Sequence, residues 1–185
     1  MSTAAGLRLA TAADAEAINV IYNHYVRTSA ATFQVAEETL AERGEELRTR
    51  PANQPMTVLE IEGEVVGWGA LSPYHSRCAY GETAELSVYV RHDCHRRGHG
   101  RTIVQDLLER ARSLGYYTLV AVSCEESAGS IRLLESLGMK KAGRLRQVGR
   151  KFGRRFDVIF LQLIFAESTT NQENNSASEI GRAHV

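Results

Sequence analysis

The sequence predicts a mixed α/β domain, with a mostly antiparallel central sheet, helices on both faces, and elements in the order β-α-α-β-β-β-α-β-α-β-β. Three observations carry that reading. Thr83–Leu114 runs from period-two alternation through a basic glycine loop into helical spacing, the pattern of a strand that turns into a helix. Two apolar runs before it are joined by a hairpin signal, and one crossover and a late hairpin follow it. A length of 185 residues suits one domain with a sizeable core, here 1–166, with 167–185 read as a disordered polar tail.

In chain order, Leu7–Leu9 is a short first strand. Thr11 then caps a helix with Asp14 in its first turn, and Ile18, Ile21, Tyr22 and Tyr25 form its buried stripe. Glu37–Arg50 is a second, more polar helix that Pro51 ends. The connection Asn23–Phe33 either borders a substrate cleft or simply joins two helices. Met56–Ile61 and Glu64–Leu71 are strands turned by Glu62-Gly63, and Pro73–Gly81 leads into the next strand.

Along Thr83–Val90, Ala84, Leu86, Val88 and Val90 share one face, the core face, and Glu85, Ser87 and Tyr89 the other. Ile103, Val104, Leu107, Leu108, Ala111 and Leu114 mark a helix from about Gly98 to Leu114, about 25 Å long. The continuous apolar run Tyr117–Ser123 reads as a strand covered on both faces. Ser127 begins a short helix through Leu137, stopped by Gly138, with Ile131, Leu134 and Leu137 inward. Ala142–Val148 and Phe156–Phe165 form the last strand pair around Gly149–Gly153.

Charge excludes little by itself, because Lys plus Arg and Asp plus Glu both number 22 and give no argument for nucleic acid. Eight basic residues crowd Lys140–Arg155, either as a solvated hairpin face or as help in holding phosphates or an acidic acceptor. Three cysteines without paired spacing fit a reducing cytosol. His92, Cys94, His95 and His99 lie close in sequence but lack a second ligand pair, so no metal is expected. With no signal peptide and no apolar run of spanning length, the expectation is a soluble cytoplasmic protein without a membrane partner. Glu179–Val185 resembles the in-frame translation of a sequencing adapter and is expected not to be native.

The loop Arg96-Arg97-Gly98-His99-Gly100-Arg101 has the chemistry of an anion site. Its glycines let backbone approach a ligand, and the unpaired amides of the following helix face it. It lacks the third glycine of the dinucleotide fingerprint and the Gly-Lys-Ser/Thr of a P-loop. It resembles the acetyl-CoA loop of the GNAT acyltransferase superfamily, Gln/Arg-x-x-Gly-x-Gly/Ala, with His95 at the Gln/Arg position. Further segments resemble, in order, its phosphinothricin and methionine sulfoximine acetyltransferase branch. They are Asn23–Tyr25, Gly63–Gly67, Ala79–Val90, Leu133–Met139 and Gly143–Leu163. The likeness spans Leu7–Phe165; Ser127 departs from a family Asn, and Arg155-Phe156 replaces a Trp.

The resemblance implies a GNAT fold and an N-acetyltransferase that uses acetyl-CoA as co-substrate and acts on a small amino acid or analogue, with homodimerisation left open. It places the backbone of Val88, Tyr89 and Val90 along the pantetheine and Arg96, Arg97, Gly98, His99, Gly100 and Arg101 around the pyrophosphate. Ser127 and Ser130 join the cofactor side; Arg77, Tyr80 and Glu85 face the acceptor, and Glu85 is the base, while Phe33 reads either as an apolar wall of the acceptor site or as core packing.

The physics agrees. Glu85 and Val90 lie about 17 Å apart along an extended strand, a span for a pantetheine arm. An α-amine of pKa near 8 costs only about 1.4 kcal/mol to deprotonate at pH 7, within reach of a carboxylate acting through water. An amide near Leu86 or Ser87 would meet the oxyanion. Many relatives carry a proton donor where Leu134 stands, yet a thiol of pKa around 8.5 leaves without strong help. Two alternatives stay open: another amine (polyamine, aminoglycoside or protein N-terminus), or a CoA-binding regulatory module without turnover.

Overall fold

In the computed structural model, which describes residues 6–165, all eleven predicted elements form in the predicted order. They are β1 (Gly6–Leu9), α1 (Ala15–Thr28), α2 (Leu40–Thr49), β2 (Met56–Ile61), β3 (Glu64–Pro73), β4 (Thr83–Val90), α3 (His99–Ser113), β5 (Thr118–Cys124), α4 (Ala128–Ser136), β6 (Lys140–Lys151) and β7 (Arg154–Ile164). The seven strands form one sheet in the order β1-β2-β3-β4-β5-β7-β6. Among the described residues only β4 and β5 run parallel, as their crossover through α3 requires. The predicted polar tail and the reading of Glu179–Val185 lie outside the described residues.

Helices cover both faces. Ile103, Val104, Leu107, Leu108 and Ala111 of α3 pack on Leu71, Leu86, Leu119 and Leu161, each buried Ile, Val or Leu contributing about 1.5–3 kcal/mol. The approach is close because β3 carries Gly67 and Gly69, where a Cβ would stand 2.9 and 2.7 Å from Ile103 atoms. On the opposite face Ile18 and Ile21 of α1 pack on Met56, Val58, Trp68 and Ala70.

Several boundaries move for local reasons. A 3-10 turn at Ala12–Asp14 precedes α1, and Asp14 accepts from the Thr11 amide at 2.7 Å while pairing with Arg8 at 2.7 Å. Helix α2 starts at Leu40 rather than Glu37, because Thr39 and Glu42 form a capping box there. The last hairpin is longer than predicted, since its turn is only Phe152-Gly153, both left-handed at φ 51° and 74°. Strand β6 absorbs two register shifts, one of them at Leu145–Gly149, where Gln147 donates its amide to Asp157 at 2.7 Å.

Strand β4 differs from its predicted single core face. Val88 and Val90 pack toward α3, while Tyr89 stacks on Trp68 at 4.9 Å and meets Tyr22 edge-on at 5.3 Å. Strand β5 is covered on both faces as predicted except at Val122, which is 38% exposed. That exposure marks a split. The parallel pairing is limited to Thr83 with Thr118, Ala84 with Leu119 and Glu85 with Val120. Beyond it β4 stays with β3 as far as Val90 and β5 stays with β7 as far as Cys124, so the sheet forks.

Candidate active site

A cavity of about 680 Å³ fills the fork, with Leu86–Val90 on one wall and Ala121–Ser123 on the other. Past the Glu85–Val120 pairing β4 has no strand partner on that edge among the described residues, so, apart from the Val90 carbonyl, its backbone donors and acceptors there are open to an extended ligand. The cavity runs from this edge to the loop that opens α3.

The loop is shaped for an anion. Arg96 and Gly98 both adopt left-handed backbone, at φ 61° and 85°, which folds the chain tightly in front of the α3 N-terminus. At Gly100 a Cβ would stand 3.0 Å from Leu133, so a larger residue would crowd the cradle. Arg96 and Arg101 add positive charge beside the amides. Free strand edge, amides and arginines together fit an extended carrier ending in phosphates.

Of the cofactor-side residues expected from sequence, Val88, Tyr89, Val90, Arg96, Gly98, Gly100, Arg101, Ser127 and Ser130 line this cavity. Arg97 and His99 are not among its lining residues. Ser127 stands at the N-cap position of α4 without making a capping bond, and neither its hydroxyl nor that of Ser130 is hydrogen-bonded among the described residues. Leu134, 2% exposed, closes the cavity from α4 and offers no proton.

The acceptor-side residues lie elsewhere. Glu85 occupies the apex of the fork, one residue before Leu86, and is half-buried on the face shared with Tyr89. Burial raises its pKa above the ordinary carboxylate value. Arg77 and Tyr80 sit on the exposed connection that enters β4 at the Glu85 end, where Tyr80 packs against His75 at 5.1 Å. Arg77 has no ion-pair partner among the described residues. Phe33 rests on the last hairpin, its ring 6.0 Å from Phe156. None of these four lines the cavity itself.

Sequence reasoning missed Tyr25, which it assigned to the buried stripe of α1. The Tyr25 hydroxyl donates to the Val90 carbonyl and lies 2.6 Å from His95 Nε2, itself 3.1 Å from the same carbonyl. His95 and Tyr25 thus hold the end of β4 where it meets the loop, and burial pushes the Tyr25 pKa up to about 12. The segment Asn23–Tyr25 carried the only hint.

The GNAT acetyltransferase domain family matches residues 7–160. The chain belongs to the GNAT acetyltransferases. This GNAT chain is similar to a phosphinothricin N-acetyltransferase of Streptomyces viridochromogenes, 38% identical over 159 residues, or 86% of this chain and 87% of the relative. It is similar to an L-methionine sulfoximine/L-methionine sulfone acetyltransferase of Pseudomonas aeruginosa, 37% identical over 162 residues, or 86% and 94% of the two chains. The structure of a phosphinothricin acetyltransferase from Sinorhizobium meliloti in complex with acetyl-CoA matches with a TM-score of 0.85 at 30% identity, covering 97% of each chain. The mixed sheet and its helices are therefore the GNAT fold, and the chain is an acetyltransferase.

Proposed function

We propose that this GNAT acetyltransferase moves an acetyl group from acetyl-CoA to the amine of a small amino acid or analogue of the phosphinothricin and methionine sulfoximine type. The observation that carries the proposal is the fork itself, with a carboxylate at its apex and a free strand edge leading to an anion loop. Bound acetyl-CoA supplies an acetyl group activated as a thioester.

The chain's own residues do the rest. The open edge from Val88 to Val90, less the Val90 carbonyl that Tyr25 occupies, holds the extended arm, while the loop amides with Arg96 and Arg101 hold the phosphates. Glu85, made more basic by burial, accepts the proton the acceptor ammonium must lose, directly or through water. Arg77, exposed on the approach to Glu85, pairs with the acceptor carboxylate, and Tyr80 and Phe33 supply apolar contact. The relatives' names support an amino-acid acceptor.

The same reading places the enzyme in the cytoplasm, in line with free Cys78, Cys94 and Cys124, and gives it a small amine rather than nucleic acid or a membrane as partner. It takes the enzyme as a homodimer, a role for Leu145 and Val148, which stand exposed on edge strand β6. Release of free thiol from acetyl-CoA, followed across amino acids and analogues, tests the assignment. L-Phosphinothricin or L-methionine sulfoximine is expected to drive stoichiometric release; release no faster than hydrolysis with every acceptor contradicts it.

A further inference from the structure

We infer that Lys151 is a positioning residue for the acceptor, tying the segment that follows α1 to the turn of the last hairpin. This rests on the acetyltransferase reading above and adds a specific device to it.

Lys151 is the last residue of β6, paired with Arg154 across the turn, and only 5% exposed. Its Nζ donates to the carbonyls of Ser29 at 2.7 Å, Thr32 at 2.8 Å and Tyr25 at 3.4 Å. No carboxylate pairs with it among the described residues. A buried ammonium without a counter-ion is costly, and only well-aimed dipoles offset the loss of water. Here they include the carbonyl of Ser29, which caps the C-terminal end of α1, and that of Tyr25, which also accepts the Ser29 amide, where the helix dipole favours a cation. A plain spacer of that volume would be apolar. An ammonium instead fixes the point on which three carbonyls converge.

The neighbouring contacts make the tie two-sided. Phe33 lies over Gly149 of β6, where a Cβ would stand 2.6 Å from the ring Cζ. Thr32 Oγ1 lies 2.9 Å from the Tyr22 hydroxyl, within the aromatic cluster that contains Tyr89. Ser29 and Ala31, on the same short segment, line the cavity. Lys151 therefore reaches Phe33 and the cavity wall at Ser29 and Ala31 through one segment, and its link toward the anion loop is the long 3.4 Å contact to the carbonyl of Tyr25.

Steady-state kinetics of Lys151→Met and Gly149→Ala, with L-methionine sulfoximine and acetyl-CoA varied in turn, test the inference. Loss of charge-assisted bonds worth about 1.5–3 kcal/mol is expected to raise the acceptor KM about 10-fold or more in Lys151→Met, leaving the acetyl-CoA KM within about twofold. Gly149→Ala, which displaces Phe33 but keeps the ammonium, is expected to shift the acceptor KM in the same selective way. Should Lys151→Met not fold, Lys151→Arg, which keeps a cation but changes the shape of its donors, decides the question by the same split between the two constants. An unchanged acceptor KM, or equal shifts in both constants, overturns the inference while leaving the proposed reaction standing. A wild-type protein inactive on every amino-acid acceptor would instead defeat the reaction.

Discussion

Glu85 pairs with Val120, and theirs is the last pairing between β4 and β5. The carboxylate is therefore set at the point where the sheet opens, and its position follows from strand register rather than from a flexible loop. Register is stiff, because a slip of one residue would turn Glu85 to the α3 face and Leu86 away from the core.

Burial raises the Glu85 pKa, and the consequences for rate and stability have opposite signs. As a base, Glu85 loses activity as pH falls through its raised folded pKa, so the acid limb of kcat/KM is expected above the ordinary carboxylate range. For stability, the folded state binds the proton more tightly than the unfolded one. Ionised Glu85 therefore costs stability at neutral pH, and the cost disappears as the group protonates. Thermal melts at pH 7 are expected to give Glu85→Gln a higher Tm than wild type, and a lower Tm contradicts the assignment of burial as the cause.

At Arg96, backbone and side chain are separable. The left-handed φ of 61° costs a non-glycine residue about 1–2 kcal/mol, which Gly avoids and Ala does not. Arg96→Gly and Arg96→Ala are expected to raise the acetyl-CoA KM alike. Denaturant unfolding is expected to show the Gly variant more stable than the Ala variant by about 1 kcal/mol, after the entropy glycine loses on folding.

Tyr25→Phe removes the hydroxyl that holds Val90 and His95 together. One lost hydrogen bond of about 1 kcal/mol is expected to raise the acetyl-CoA KM about fivefold and to leave the acceptor KM in place, the converse of Lys151→Met.

Arg8 and the Thr11 cap hold the Asp14 pKa down to about 2. A depressed carboxylate contributes stability that is present above its unfolded value and lost as pH falls through about 2. Because Arg8 is 42% exposed, solvent screening reduces the contribution to about 1–2 kcal/mol. Asp14→Asn is expected to lower unfolding free energy by that amount at pH 7, with the difference fading at the acid end of a urea titration series.

What the sequence made legible was local. Alternation in Thr83–Val90, the glycines at 98 and 100 and the stripe of α3 announce themselves within a few residues, and Glu85 could be read off its strand. The fork could not, because Val120 and Val122 belong to one apolar run and only tertiary pairing separates the covered residue from the one facing the cavity. Lys151 was hidden in a cluster of basic residues that looks uniformly solvated, although it alone among them is buried. Tyr25 satisfied helical spacing, so apart from the Asn23–Tyr25 resemblance its hydroxyl was not marked as a contact to β4. The length of the last hairpin was masked by bulges in β6, which break the alternation that periodicity relies on.

Paired measurements on Glu85→Gln test the central claim most directly: calorimetric affinity for acetyl-CoA beside thiol release with L-phosphinothricin. The expected result is affinity within about twofold of wild type and turnover reduced by about 10²-fold or more. Turnover near the wild-type rate would contradict the placement of the base at the fork.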